Sequence, residues 1–294
     1  MTLLEHLQNL NPEFSKFLIQ EIKNSEGVTV GDRCHALDKN GTTFAGGTGA
    51  TNDLAKRIAI AEVFERSFVR KIANDVELSK KFNMMKFPSS SGFAAGFENN
   101  STKFRSICEG LERWIWSKWI DDNFYIEELL KERVLLSPLA KHLSSCFDEV
   151  FWYSKSFLIS DHFTYPMALK IVIFLGCKDD GIYAGSRVST ENDDLFSHPI
   201  IEAQRNYQNF SLHQKGLSTQ YDQDYIIKKR ALYFGSHKGE ALEQVARSFK
   251  RDWPTPKFSL LEEYNTEISN LFLYRCLFED FMGWHLGPVD RFVY

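Results

Sequence analysis

The sequence repeats itself. The pattern Gly49-x(12)-Glu62-x-x-Glu65-Arg66 returns as Gly96-x(12)-Glu109-x-x-Glu112-Arg113, with every equivalent position 47 residues further on. Ile60 and Ile107 match at the same spacing, while Phe64 becomes Leu111. Self-similarity constrains a fold more tightly than local propensity, because both copies must suit one local structure. Each copy reads as a glycine-rich loop followed by a helix whose third turn carries two acids and an arginine. The loops are Gly46-Gly47-Thr48-Gly49 and Phe87-Pro88-Ser-Ser-Ser-Gly-Phe-Ala-Ala-Gly96.

The spacing has a physical consequence. Residues three apart share a helical face, with Cβ atoms roughly 5–6 Å from each other. Two carboxylates placed so repel, and here both pairs sit among apolar neighbours such as Ile58, Ile60, Ile107 and Leu111. Burying unpaired carboxylates is costly, so cations must compensate. Arg66 and Arg113 are too few for four acids, which leaves divalent cations. All-oxygen carboxylate sites suit Mg²⁺, whose remaining ligands are usually phosphate oxygens and water. A glycine loop before a helix N-terminus adds backbone N–H groups that cradle phosphate. One copy of Glu-x-x-Glu-Arg would be most simply a solvated face with an ion pair; two copies in register argue for a site.

Elsewhere the chain reads as alternating helices and strands. Leu3, Leu4, Leu7, Leu10, then Phe14, Phe17, Leu18 and Ile22 have helical spacing, broken by Asn11-Pro12. Residues 27–48 alternate. Helices are expected from about Asn52 to Ile72, capped by Thr51 or Asn52, from about Ser101 to Ile120, and from about Pro199 to Leu212. Strands are expected at Val150–Leu158, Tyr165–Leu175 and Ile182–Val188, with a turn at Asp179-Asp180-Gly181. Residues 213–259 look polar and irregular, and Leu260–Phe281 fits neither period cleanly. The elements describe an α+β chain without a flexible linker, so residues 1–294 are expected to form one mixed α/β domain.

Composition excludes several classes. The net charge of −4 offers no basic field for nucleic acid or for an anionic membrane. The apolar run from Ala168 to Cys177 is interrupted by Lys170 and too short to span a bilayer. Five scattered cysteines without a Cys-x-x-Cys pair, and an acid at Glu5 in place of a basic leader, point to a reduced, cytoplasmic setting.

At the repeat the sequence resembles the YcaO family. Gly49-Ala-Thr-Asn-Asp-Leu-Ala, running on to Glu62-Val-Phe-Glu65-Arg66, is similar to that family's first nucleotide-binding helix. Ser91-Gly92-Phe-Ala-Ala95-Gly96 with Glu109-Gly-Leu-Glu112-Arg113 is similar to its second. The likeness is strongest over residues 45–120. It implies a YcaO-like domain with an internal pseudo-twofold repeat, binding ATP and Mg²⁺. Glu62, Glu65, Glu109 and Glu112 would be the metal ligands, with Arg66, Arg113, Gly49 and Gly96 at the nucleotide. A later stretch, Gly185-Ser-Arg187 and Glu202-Ala-Gln-Arg205, resembles the family's third glycine loop and Glu-x-x-Gln helix, which adds Arg205 to the nucleotide contacts.

The activity so implied is ATP-dependent activation of a backbone amide in a ribosomally made precursor peptide, forming an azoline, thioamide or amidine. A leader-binding or TfuA-like partner protein is implied as well, and a homodimer is compatible with the family. The sequence departs from the family at Thr48 (commonly Lys), at Phe97 and Ser101 (commonly Asn and Glu), and in lacking a Pro-x-Pro-x-Pro tail. Those departures keep a scaffold that binds a leader peptide or partner without turnover as the alternative, and a nucleotide-independent metal–carboxylate hydrolase as a third. No catalytic residue is singled out. His198, His285 and Cys108 read as structural, and Trp114, Trp116 and Trp119 as core.

Overall fold

Two compact units emerge from the computed structural model, which describes residues 3–130, 134–160, 166–191, 194–215, 226–266, 268 and 270–293. The first comprises residues 1–107 and 260–276, the second residues 108–259 and 277–294.

In the first unit, helix α1 (Leu3–Leu10) precedes an antiparallel meander of β1 (Phe14–Lys23), β2 (Thr29–Asp38) and β3 (Thr43–Gly49). The helical spacing of Phe14 to Ile22 is overruled. A bulge between Phe14 and Lys16 adds a residue to the strand, so Phe14 and Phe17 both meet the core. Gly46 to Gly49 likewise lie in a strand instead of a loop, paired with β2 as His35 with Gly46 and Cys34 with Gly47. Gly47 has a steric reason. A Cβ there would stand 2.2 Å from the Ala55 carbonyl oxygen of α2 (Asn52–Asn74), which lies against the strand. Thr51 caps α2, its hydroxyl accepting the Leu54 N–H at 3.3 Å. Phe64, Phe68 and Ile72 of α2 join Phe82, Phe93 and Leu273 in the core.

After α3 (Val76–Lys81), β4 (Phe93–Gly96) belongs to a second sheet of order β4-β10-β9. The ambiguous tail segment is therefore two strands, β9 (Phe258–Asn265) and β10 (Phe272–Phe278). Helix α4 (Asn99–Ile120) begins in the first unit and continues into the second. Each repeat copy is thus a strand ending in glycine, two intervening residues and a helix, and the spacing of 47 holds for strand ends and helix starts alike.

The second unit carries β5 (Glu127–Glu128), α5 (Pro138–Ser144), and the antiparallel β6 (Glu149–Ile159), β7 (Met167–Lys178) and β8 (Gly181–Ser189). Asp179-Asp180 forms the tight turn between β7 and β8, with Lys178 facing Gly181. Helices α6 (Ser197–Gln214), α7 (Ile226–Phe234) and α8 (Lys238–Ala246) follow, so much of the stretch expected to be irregular is helical. Residues 216–225 and Tyr165, for which the sequence also made expectations, lie outside the described residues. All five cysteines are free thiols. Among the described residues no helix is long and apolar enough to cross a membrane.

A second repeat appears only in three dimensions. The meander and helix β1-β2-β3-α2 is matched by β6-β7-β8-α6, and equivalent hydrogen bonds lie 140 residues apart. Gly46 N–H donates to Glu62 as Ser186 N–H donates to Glu202. The Arg66 guanidinium donates to the Phe44 carbonyl as the Asn206 amide donates to that of Ala184. Gly185 lets α6 approach β8, since a Cβ there would stand 2.1 Å from the Pro199 carbonyl oxygen. Gly185→Ala is expected to push α6 off the strand and cost about 3 kcal/mol or more, read as a lowered urea midpoint.

Candidate functional site

The acids of the repeat occupy two settings. In the first unit Glu62 accepts the Gly46 N–H at 3.0 Å and pairs with Arg66 at 2.5 Å, one helical turn on. Arg66 in turn donates to the Phe44 carbonyl, so strand and helix share one ion pair. Glu65 is half-buried on the same helix. Gly49 closes β3, and a Cβ on it would come within 2.9 Å of the Leu54 side chain. Gly96 closes β4 in the same manner, with the Thr102 hydroxyl at 2.5 Å from such a Cβ. Both glycines therefore let a strand end abut the first turns of a helix.

The second unit holds the denser group. Arg113 reaches Glu109 at 3.2 Å and Glu112 at 3.4 Å. Glu202, from α6, feels both Glu112 and Arg113, and its carboxylate accepts the Ser186 N–H at 3.1 Å. Arg205 stands 3.8 Å from Glu202 at the exposed rim. The Trp116 indole N–H donates to the Ser186 hydroxyl at 2.8 Å, which ties this strand position to α4. Two carboxylates thus pair with one enclosed guanidinium, and a third, Glu202, acts on it electrostatically.

Electrostatics follow from that crowding. Glu112 is buried, and its pKa is pushed up to about 8. Burial is the largest cause, Arg113 works against it, and Glu202 and Glu109 add to the rise. Burial alone would lower the Arg113 guanidinium, but Glu109, Glu112 and Glu202 outweigh it and its pKa rises. Among the described residues no three His, Cys, Asp or Glu side chains are arranged to hold a metal ion by themselves. The donor set fits Mg²⁺ in hardness and in charge, with the arginines currently taking up carboxylate oxygens.

Other candidates divide cleanly. Trp114, Trp116 and Trp119 are fully buried core residues, and Cys108 is buried. His198 is exposed on α6. Thr48 is half-buried in β3, Ser101 is exposed on α4, and Phe97 packs edge-on against Phe64 with ring centroids 6.1 Å apart. Asn99 accepts the Tyr274 hydroxyl at 2.8 Å. Sequence reasoning did not choose Glu202, Ser186 or Trp284 as site residues. The only linear signal for Glu202 was Gly185 with a helical Glu-x-x-Arg after it, and its equivalence to Glu62 lies in hydrogen bonds instead of in flanking residues.

No protein-family model matches the sequence, and no curated protein matches it at the sequence level. Solved structures do match the fold. The structure of YcaO from Methanopyrus kandleri bound with AMPPCP and Mg²⁺ covers 94% of this chain and 90% of its own, at 12% identity and a TM-score of 0.50. The E. coli microcin synthetase McbBCD complex with pro-MccB17 bound contains a chain that covers 90% of this one and 88% of its own, at 11% identity and a TM-score of 0.62. A heterocyclase in complex with substrate and cofactor covers 96% of this chain and 52% of its own, at 8% identity and a TM-score of 0.57. The chain has a YcaO-like α+β fold.

Proposed function

We propose that this chain binds Mg²⁺–ATP and activates a backbone amide of a ribosomally made precursor peptide, yielding an azoline, thioamide or amidine according to the nucleophile. The carrying observation is Arg113 paired with Glu109 and Glu112, with Glu202 of α6 acting on both Glu112 and Arg113. Without metal, Glu112 keeps its proton near neutral pH; a bound divalent cation would let all three acids ionise beside the enclosed guanidinium. Mg²⁺ usually takes one or two carboxylates and completes its shell with phosphate oxygens and water, which suits acids not already organised as a cage. When bound, ATP supplies the phosphoryl group that makes the amide oxygen a leaving group.

Within this reading Glu109 and Glu112 are metal ligands in the second unit, and Glu62 and Glu65 take that role in the first. Arg113, Arg66 and Arg205 neutralise phosphate or carboxylate charge, and Gly49 and Gly96 let a strand end meet each of the two helix starts beside the nucleotide. Residues 1–294 act as one YcaO-like domain in the cytoplasm. The precursor peptide and a leader-binding or TfuA-like protein are the partners, with a homodimer as the working assembly. The fold shared with structures that hold AMPPCP and Mg²⁺, or pro-MccB17, supports it.

Isothermal titration with Mg²⁺–AMPPCP tests the site. Saturable binding is expected, weakened on the order of tenfold or more by Glu62→Gln and by Glu109→Gln. Parental affinity in both variants would sink the assignment. One observation favours a second reading, a scaffold that binds without turnover: Phe97 lies against Phe64 where the family pattern has a polar contact. Nucleotide binding without ATP consumption, in the presence of the peptide encoded beside the gene, selects that reading.

A further inference from the structure

We propose that Trp284 is a positioning residue for Arg113, presented by a C-terminal strap that two buried arginines lock in place. The Arg113 guanidinium carbon lies 3.8 Å from the centroid of the Trp284 ring, and the indole N–H points at the Arg113 carbonyl at 3.4 Å. Trp284 is 3% exposed, so its ring excludes water from one face of the cation. The guanidinium edge is turned to Glu109 and Glu112. Cation–π contacts strengthen when desolvated, and a planar guanidinium held on face and edge has little freedom left.

The strap itself is irregular backbone, and its carbonyls would lack partners without help. Arg230 donates to Trp284 O at 2.5 Å, to Pro288 O at 3.0 Å and to Leu286 O. Arg291 donates to Gly283 O at 2.9 Å and to Met282 O at 3.0 Å, while its charge is met by Asp121. Met282 N–H donates to the Ser117 hydroxyl at 3.0 Å, and Gln244 grips Asp290 O and Phe292 N–H. Gly287 supplies the turn with φ of +86°. Five carbonyls of a short segment are therefore fixed by two arginine side chains, and the aromatic residue so placed covers the one cation that Glu109 and Glu112 share.

The consequence is that Trp284 sets the spacing of the two carboxylates through Arg113 without touching a ligand itself. For its ligand this inference rests on the nucleotide reading above, and the test separates the two. The Arg113 Nε–H resonance, assigned in ¹⁵N-labelled protein by its loss in Arg113→Lys, is expected to carry a ring-current shift. That shift should vanish in Trp284→Leu and shrink in Trp284→Phe, which keeps a smaller ring and loses the N–H. Should the leucine variant not fold, the phenylalanine variant decides alone. An unmoved Arg113 resonance overturns the proposal whatever the nucleotide does. Trp284→Leu is also expected to weaken Mg²⁺–AMPPCP binding about tenfold. Equal affinity in folded variant and parent overturns the positioning role, while no binding by the parent overturns the functional reading and leaves the resonance to judge Trp284.

Discussion

Without divalent cation, Glu112→Gln is expected to melt several degrees above the parent at about pH 8.5 and close to it only at about pH 4, below the unfolded value. The sign follows from the direction of the shift. Burial, with Glu202 and Glu109 nearby, lifts the Glu112 carboxyl from an ordinary 4.5 to about 8 in the folded chain. The unfolded chain then releases its proton first as pH rises, so stability falls from about the unfolded value to about the folded one. Above that window the folded protein carries a buried carboxylate that costs on the order of a few kcal/mol. A neutral amide of the same shape resembles the protonated acid, which is why the two proteins should coincide at low pH. The same substitution should lose Mg²⁺–AMPPCP affinity by tenfold or more. Stability gained where function is lost is the pattern of a site residue, and a pH-independent difference in melting between variant and parent would contradict it.

Arg275→Leu is expected to lower stability by about 4 kcal/mol or more, enough to leave much of the protein unfolded at its working temperature. Arg275 is fully buried on β10 and donates to the carbonyls of Phe82, Phe87, Ser89 and Ser91, the last at 3.3 Å. Its guanidinium also lies over the Phe93 ring at 4.7 Å. These contacts gather the Phe87–Gly96 stretch before α4 into one conformation. Leucine would take a donor from all four carbonyls, of which that of Phe87 keeps the Ser89 N–H at 2.8 Å. Lysine should rescue poorly, because an ammonium has three N–H groups and no planar fork. Urea unfolding of all three proteins measures this, and near-parental midpoints would show that water replaces the guanidinium.

The repeat at a spacing of 47 was legible because its signal is chemical. Glycine, two acids and an arginine in register name both a backbone requirement and a charge problem. The cap of α2 and the ends of α2 and α4 were read closely for the same reason, since Thr51 and the apolar faces are local signals. Phe14 to Ile22 misled because a β-bulge mimics helical spacing, and Gly46 to Gly49 because strand pairing with β2 overrides the loop preference of glycine. The strands of residues 258–278 were obscured by Glu262 and Glu263, which lie on β9 at the edge of the sheet beside β10. The structural repeat at 140 left little trace along the chain, since its hydrogen bonds join a helix side chain to strand backbone groups that any residue supplies.

Residue types and their spacing determined that this chain is α+β, that Glu62, Glu65, Glu109 and Glu112 lie on helices after glycine-ended segments, and that arginine follows each pair. Local sequence suffices there because helix periodicity places residues three and four apart together. Only tertiary structure decided that Glu202 and Ser186 join Glu109, Glu112 and Arg113. It alone brought Trp284 onto that arginine from 171 positions away. Contacts over such separations depend on how strands pair and helices pack, and no window along the chain contains them.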